Sequence, residues 1–339
     1  MSLLTLKLRK KRPCIPIGPD FSKAEAIQIS LSGTKVSFLM NRHLPDGFYE
    51  EYISPSSEYN LFDSNLYEAD RRKIGEEACY KELRYIVPLR RCWAFRGQAF
   101  TGYAAQVDAT VSVQRITPSS KDFSLLRPDH FQQFITDALT TEYGHLVSNG
   151  RSKFDAPVNW KPDSRHPIHA VTFEVTPVTS GDDRKVIYAF PVDHEVCVFI
   201  YFHLLQYEPG ELSKKDAMVS PKPLYELVEN IISSVKIELS PSALNELEQI
   251  KCTHSSAKIS KTLSPLKWTT PEQDAEWEEY CKNLAELRRL SYSDQQVPKS
   301  EQDKLHNKMN AATTEEEMLK LMEQAAEMEA KHSSQGKKS

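Results

Sequence analysis

The sequence predicts an α+β protein with a mostly antiparallel sheet and packed helices, followed by a C-terminal helical region. Three observations carry this prediction. Runs of alternating apolar residues are joined by short turns, as in hairpins. Two strong helical stripes, near 128–143 and 223–235, fall singly between those runs instead of alternating strictly with them. From residue 241 onward the pattern is helical or polar. With 339 residues, 40% hydrophobic and 27% charged, 11 Gly and 20 Pro, the chain is neither collagen-like, wholly disordered nor membrane-spanning in composition. Its length supports a core without disulfides or a metal.

Taken in order, AIQISLSGTKVSFLM reads as a hairpin broken at Ser32-Gly33, with Ile27, Ile29 and Leu31 on one face of its first strand and Val36, Phe38 and Met40 on one face of its second. Pro45-Asp46-Gly47 is a turn signal. Residues 50–69 read as loop with embedded anchors. EADRRKIGEEACYKELRYIV reads as a helix interrupted at Gly75, or a short helix running into a strand at Arg84–Pro88. Tyr49, Tyr52, Tyr59, Phe62, Tyr67, Tyr80 and Tyr85 enrich this stretch in amphipathic rings, which suit a semi-buried boundary or a protein interface. Gln106–Gln114 is the cleanest strand: Val107, Ala109, Val111 and Val113 face a core, while Gln106, Asp108, Thr110, Ser112 and Gln114 form a polar face expected to be open.

PDHFQQFITDALTTEY reads as a helix that lays Phe131, Phe134, Ile135, Ala138 and Leu139 on the sheet. A second hairpin pairs His169–Thr176 with RKVIYAFPV around Ser180-Gly181-Asp182-Asp183. VCVFIYFHLL, Val196–Leu205, is apolar on both faces and belongs in the middle of the sheet. PLYELVENIISSV is a core helix and KIELS a closing strand. SPSALNELEQI opens on a Ser N-cap and a first-turn Pro. Val107, Val111, Phe131, Phe199 and Ile231 are expected to share one core. Residues 251–268 read as a linker open to proteolysis, as do 291–312. Thr270-Pro271-Glu272-Gln273 and Thr314-Glu315-Glu316-Glu317 both have capping-box spacing. The helices they start would display Trp277, Cys281, Leu284 and Leu287, and Met318, Leu321, Met322, Ala325 and Met328. The expected organisation is a basic flexible segment at 1–19, an α+β domain at 20–240, a helical appendage with linkers at 241–330 and a disordered tail at 331–339.

The formal charge is -4 and the pI near 6.2, so no general electrostatic footprint for nucleic acid exists. The charge is segregated. Residues 1–20 carry Lys7, Arg9, Lys10, Lys11 and Arg12 against Asp20, whereas residues 269–339 carry 10 basic and 15 acidic side chains. The opening MSLLTLKLRKKRP is too short in apolar residues for a secretory signal, and no run reaches membrane-spanning length, so stable membrane insertion is not expected and cytoplasmic residence is. Cys14, Cys79, Cys92, Cys197, Cys252 and Cys281 contain no CxxC unit and read as reduced structural residues.

Chemistry-bearing patterns are sparse. There is no GxGxxG and no GxxxxGK[ST]; the cluster Arg96–Gly102 reads as a loop and strand entry. His166 with His169, and Asp193-His194-Glu195, are the nearest approaches to a metal set, yet neither has a metal-site spacing. There is no GxSxG elbow. Cys92 could combine with His166, His169 or His194, oriented by Asp193 or Glu195, and His203 inside VFIYFH reads as a semi-buried structural histidine. No catalytic, cofactor-binding or metal residue, and no cofactor, is therefore expected. The sequence points instead to a non-enzymatic protein-recognition protein with a protein partner: an adaptor, a chaperone-like factor or a toxin-neutralising immunity protein. The alternatives are a hydrolase with a noncanonical His/Cys/Asp site, or a structural component of a larger assembly. Nothing in the pattern specifies an oligomeric state.

Overall fold

In the computed structural model, residues 13–47, 49–54, 58–99, 101–148, 150–178 and 181–293 are described. Two compact units are present, one formed by 1–148 with 152–269 and one by 149–151 with 270–339. The first unit is α+β and its strand pairing is mostly antiparallel.

Strands β1 (Glu25–Leu31) and β2 (Thr34–Met40) form the expected hairpin, with Ile27 opposite Phe38 and Ile29 opposite Val36. Their two apolar faces are thus one face of the hairpin. The turn requires left-handed backbone at both central residues, Ser32 (φ 47°) and Gly33 (φ 90°), the geometry that matches the twist of a two-residue hairpin. Short strands β3 (Tyr52–Ile53), β4 (Glu58–Tyr59) and β5 (Glu68–Ala69) follow, then the long pair β6 (Tyr80–Arg96) and β7 (Tyr103–Pro118). After helix α1 (Pro128–Tyr143) come two short strands, β8 (Val147–Ser148) and β9 (Arg151–Ser152), and then β10 (Phe154–Asp163), β11 (Ala170–Pro177), β12 (Arg184–Pro191) and β13 (Val196–Gln206). Helices α2 (Leu212–Met218) and α3 (Lys222–Ser234), strand β14 (Lys236–Glu238), and helices α4 (Pro241–Thr253) and α5 (Pro271–Ser293) complete the described chain.

The large sheet runs β10-β11-β12-β13-β7-β6-β3, with β5 also on β6, so the doubly apolar β13 does sit in its middle. A smaller sheet runs β14-β2-β1-β4. Val107, Val111 and Ile231 belong to a core between the large sheet, the small sheet, α3 and α4. Phe131 and Phe199 belong to a separate core between the opposite face of the large sheet and α1. The single core expected from periodicity is therefore two, because the sheet is covered on both faces. For the same reason the polar face of β7 is not open: Gln106, Ser112 and Gln114 are buried and Asp108 and Thr110 half-buried. Buried polar groups there are satisfied, with Gln114 donating to the Tyr201 hydroxyl at 2.8 Å and Gln106 accepting from the Asp46 backbone at 3.1 Å.

The helix expected within 68–87 is absent, whereas the strand expected at Arg84–Pro88 lies within β6. Residues 76–79 are turn and bend, and β6 extends from Tyr80 through the whole register of β7. Seventeen residues of ladder outweigh local helix propensity, which is a weak prior against tertiary pairing. Trp93 on β6 is fully buried and its indole donates to the carbonyls of Asn41 and Arg42, tying β2 to the large sheet.

Residues 13–19, expected to be flexible, are pinned. Cys14 N–H donates to Met218 O at 2.9 Å and Ile17 N–H to Arg96 O at 2.8 Å, and a Cβ on Gly18 would lie 2.3 Å from the Phe95 ring. Residues 1–12, the Thr314 helix and the tail lie outside the described residues. At the other end, α4 buries Ala243 and Leu247, its Ser240 cap accepting from Ala243 N–H at 3.2 Å. The polar stretch read as a linker packs Ile259, Leu263, Leu266 and Trp268 against the α1 core. The first unit runs to Thr269. Limited proteolysis should spare 251–268 and leave a resistant fragment ending near 269; early cuts at 255–265 would contradict this packing. Helix α5 starts on the expected capping box, Gln273 N–H donating to the Thr270 hydroxyl at 3.2 Å and Thr270 N–H to the Gln273 side chain at 3.0 Å. Among the described residues no helix is long and apolar enough to cross a membrane.

Candidate functional site

The structure separates most of the residue sets that the sequence could combine. Cys92 is not joined to His166, His169 or His194; its neighbour is His43, whose ring nitrogens lie 3.7 and 3.9 Å from the Cys92 sulfur. This pair does not form an activated nucleophile. His43 Nδ1 accepts from the Cys92 backbone N–H at 3.0 Å, so Nε2 carries the proton and donates to Tyr49 O at 2.8 Å. No basic nitrogen is left for the thiol. Burial, with the nearby Asp108 charge, pushes the Cys92 thiol up to about 12, opposite to the shift that activates a cysteine.

Asp193, His194 and Glu195 converge at the β12–β13 turn. His194 Nδ1 is 2.6 Å from Asp193, and the ring lies 3.8 Å from Glu195 and from Glu246 of α4. The Asp193 hydrogen bond raises the His194 pKa in spite of burial. Glu195 is in turn paired with Arg115 at 3.3 Å, and Glu246 accepts from Ser124 at 2.9 Å. These partners make the cluster a clamp between a turn and a helix. His166 is pushed down by burial, beside Asp163, and His169 by burial and Lys251. Among the described residues no group of three His, Cys, Asp or Glu could hold a metal ion.

One line of titratable groups was not legible in the sequence. Cys92, Asp108, His203 and Lys185 are successive register partners across β6, β7, β13 and β12, and so lie in one row on one face. His203 is pushed down to about 4, by burial first and then by Lys185 and Arg90. Between pH 6.5 and 4 the unfolded chain binds a proton that the native imidazole refuses, so stability falls with falling pH across that window, by about 3 kcal/mol in total. Urea unfolding of His203→Asn against the parent should show this slope removed. An unchanged slope would contradict a neutral His203. The raised His194 acts oppositely, adding stability at low pH that is lost as pH rises through its folded pKa.

A surface feature with recognition chemistry lies at the opposite side of β6 from β7. Strands β3 and β5 both pair with this edge, Tyr52 opposite Arg90 and Ile53 opposite Leu89, then Glu68 opposite Tyr85 and Ala69 opposite Arg84. Between them β6 carries a bulge at Ile86–Leu89. Pro88 sits in it, where a strand tolerates a residue without an N–H, and its carbonyl accepts from Ser54 N–H at 2.9 Å. The result is a groove of about 620 Å³ lined by Ile86 and Val87, by Tyr52, Tyr59, Leu66 and Tyr85, and by the charged Glu50, Glu51, Glu68 and Arg90. Tyr59 is buried, but Tyr52 and Leu66 are 48% and 43% exposed, and Tyr49, Ile53 and Phe62 nearby in the chain are 54–55% exposed.

The rings of the aromatic stretch differ in exposure, Tyr85 being half-buried. Tyr59, Tyr67 and Tyr80 are buried boundary residues, whereas Tyr49, Tyr52 and Phe62 face solvent. Of the helical stripe after residue 270, Trp277 is half-buried and Cys281 exposed; the side chains of Leu284 and Leu287, and all of Met318–Met328, lie outside the described residues. No protein-family model matches the chain, and neither does any curated protein or solved structure.

Proposed function

We propose that this is a protein-recognition module that takes a basic, partly apolar segment of another protein in the groove beside β3 and β5. The observation that carries this reading is the coincidence of exposed Tyr52 and Leu66 with the carboxylates of Glu50 and Glu68 against Arg90 at a single groove, the third carboxylate, Glu51, being paired with Arg91 at 2.6 Å. Aromatic side chains supply large contact area at low entropic cost, and exposed apolar clusters with a polar rim mark interaction sites. The carboxylates would favour Lys and Arg on the partner and disfavour nucleic acid phosphates. Cytoplasmic residence remains part of the proposal. The hydrolase alternative draws no support from Cys92, given the hydrogen bonding of His43.

The test is a selection of the full chain against a displayed random-peptide library. Enriched peptides should combine Lys or Arg with aliphatic or aromatic residues, and Tyr52→Ala should weaken the best of them roughly 10- to 30-fold with thermal stability unchanged. Enrichment of acidic peptides, or binding indifferent to Tyr52, would overturn the reading.

A further inference from the structure

A second cleft lies at the other edge of the large sheet, where α3 stops short of covering β10 and β11. It has a volume of about 580 Å³. Its apolar wall is Val186, Val228 and Ile232, all buried. At one end stands the Glu174 carboxylate, held by two neutral donors: Asn159 Nδ2 at 2.8 Å on one oxygen and the Tyr225 hydroxyl at 2.7 Å on the other. No cation lies within ion-pair distance of Glu174 among the described residues.

We infer that this cleft binds an organic cation, an alkylammonium or alkylguanidinium group whose charge meets Glu174 and whose aliphatic body lies against the half-buried Tyr225 and the exposed Pro162 of the lining. The neighbouring positive charges are already committed. Arg184 reaches the Tyr225 hydroxyl at 3.3 Å, but its guanidinium is held by both oxygens of Asp216 at 2.7 and 2.8 Å. At the far end Arg165 forks onto Asp163 through Nε at 2.9 and 3.0 Å and donates to Ser233 O at 2.9 Å. That leaves Glu174 and Glu229 against Lys161 in the lining, an excess of negative charge facing an apolar wall. The donors to Glu174 fix its orientation without neutralising it, and a carboxylate so held gains most from a charged donor.

The backbone is shaped for the arrangement. Asn159 has left-handed backbone, φ 54°, within the second of two register shifts in the β10–β11 pairing, the one between Val158 and Lys161. Bulges and non-glycine positive φ recur where a strand must re-aim a side chain, and here the re-aimed amide is the one that grips Glu174. The cleft is independent of the β3 groove, since the two lie at opposite edges of the same sheet.

Titration of the full chain with n-butylamine and n-butylguanidine, followed by calorimetry, tests the inference, with n-butanol and butyrate as uncharged and anionic controls. Both cations should bind in preference to both controls, and Glu174→Gln should weaken them at least tenfold. A capped Gly-Lys-Gly peptide distinguishes a lysine side chain from a free amine as the source of the cation: binding at least as tight as butylamine assigns the side chain, and weaker binding the free amine. Should Glu174→Gln fail to fold, the exposed Lys161→Glu decides, because a further carboxylate on the rim should tighten butylamine severalfold. Equal binding of butanol, preference for butyrate, or no gain with Lys161→Glu would overturn the assignment.

Discussion

Truncation of Phe199 to Ala is expected to cost about 3–5 kcal/mol in denaturant unfolding. The ring is 3% exposed at the centre of the core beneath α1, edge-on to Phe134 at 6.1 Å and stacked on Tyr201 at 5.5 Å. Removing it leaves a hole bounded by the sheet on one side and α1 on the other, neither of which can collapse without breaking hydrogen bonds or helix packing. A loss below about 1 kcal/mol would contradict this placement of β13 and α1.

Val111→Asp should be more damaging, at about 4 kcal/mol or more, and is expected to abolish cooperative folding. Val111 is 1% exposed in the other core, opposite Ile200 on one neighbouring strand and Leu89 on the other. A carboxylate there either loses its water or takes up a proton, and the apolar burial of the valine is lost as well. Thr110→Asp, one residue earlier, is half-buried on the opposite face and lies across from Arg90. It should cost far less. Equal costs at 110 and 111 would contradict the facing of β7.

The elements most legible in the sequence were those whose local signals agreed with their tertiary partners. The β1–β2 turn had Ser32-Gly33, β13 was apolar on both faces, and α1, α4 and α5 each opened on a Pro or a cap at the right spacing. Strand β6 was obscured because its bulge at Val87–Pro88 breaks the two-residue alternation, while the charged run before it has the composition of a helix. The polar side of β7 was misread for a different reason. Alternation shows that two faces differ but not that the polar one is open, and Gln114 meets its partner Tyr201 only 87 residues away in the chain.

Site geometry was hidden by the same distance in sequence. Nothing local connects Cys92 to His43, 49 residues apart, or Glu174 to Tyr225, 51 residues apart. The aromatic segment was visible as a composition, and only pairing on β6 sorted its rings into buried Tyr59 and Tyr80 and exposed Tyr49 and Tyr52.

Amide hydrogen exchange of the full chain, free and saturated with the tightest selected peptide, tests the recognition claim most directly. The account predicts added protection in 50–54, 66–70 and 84–90, the three stretches that build the groove between β3 and β5. Protection confined to 271–293, with those three stretches exchanging as in the free protein, would contradict it.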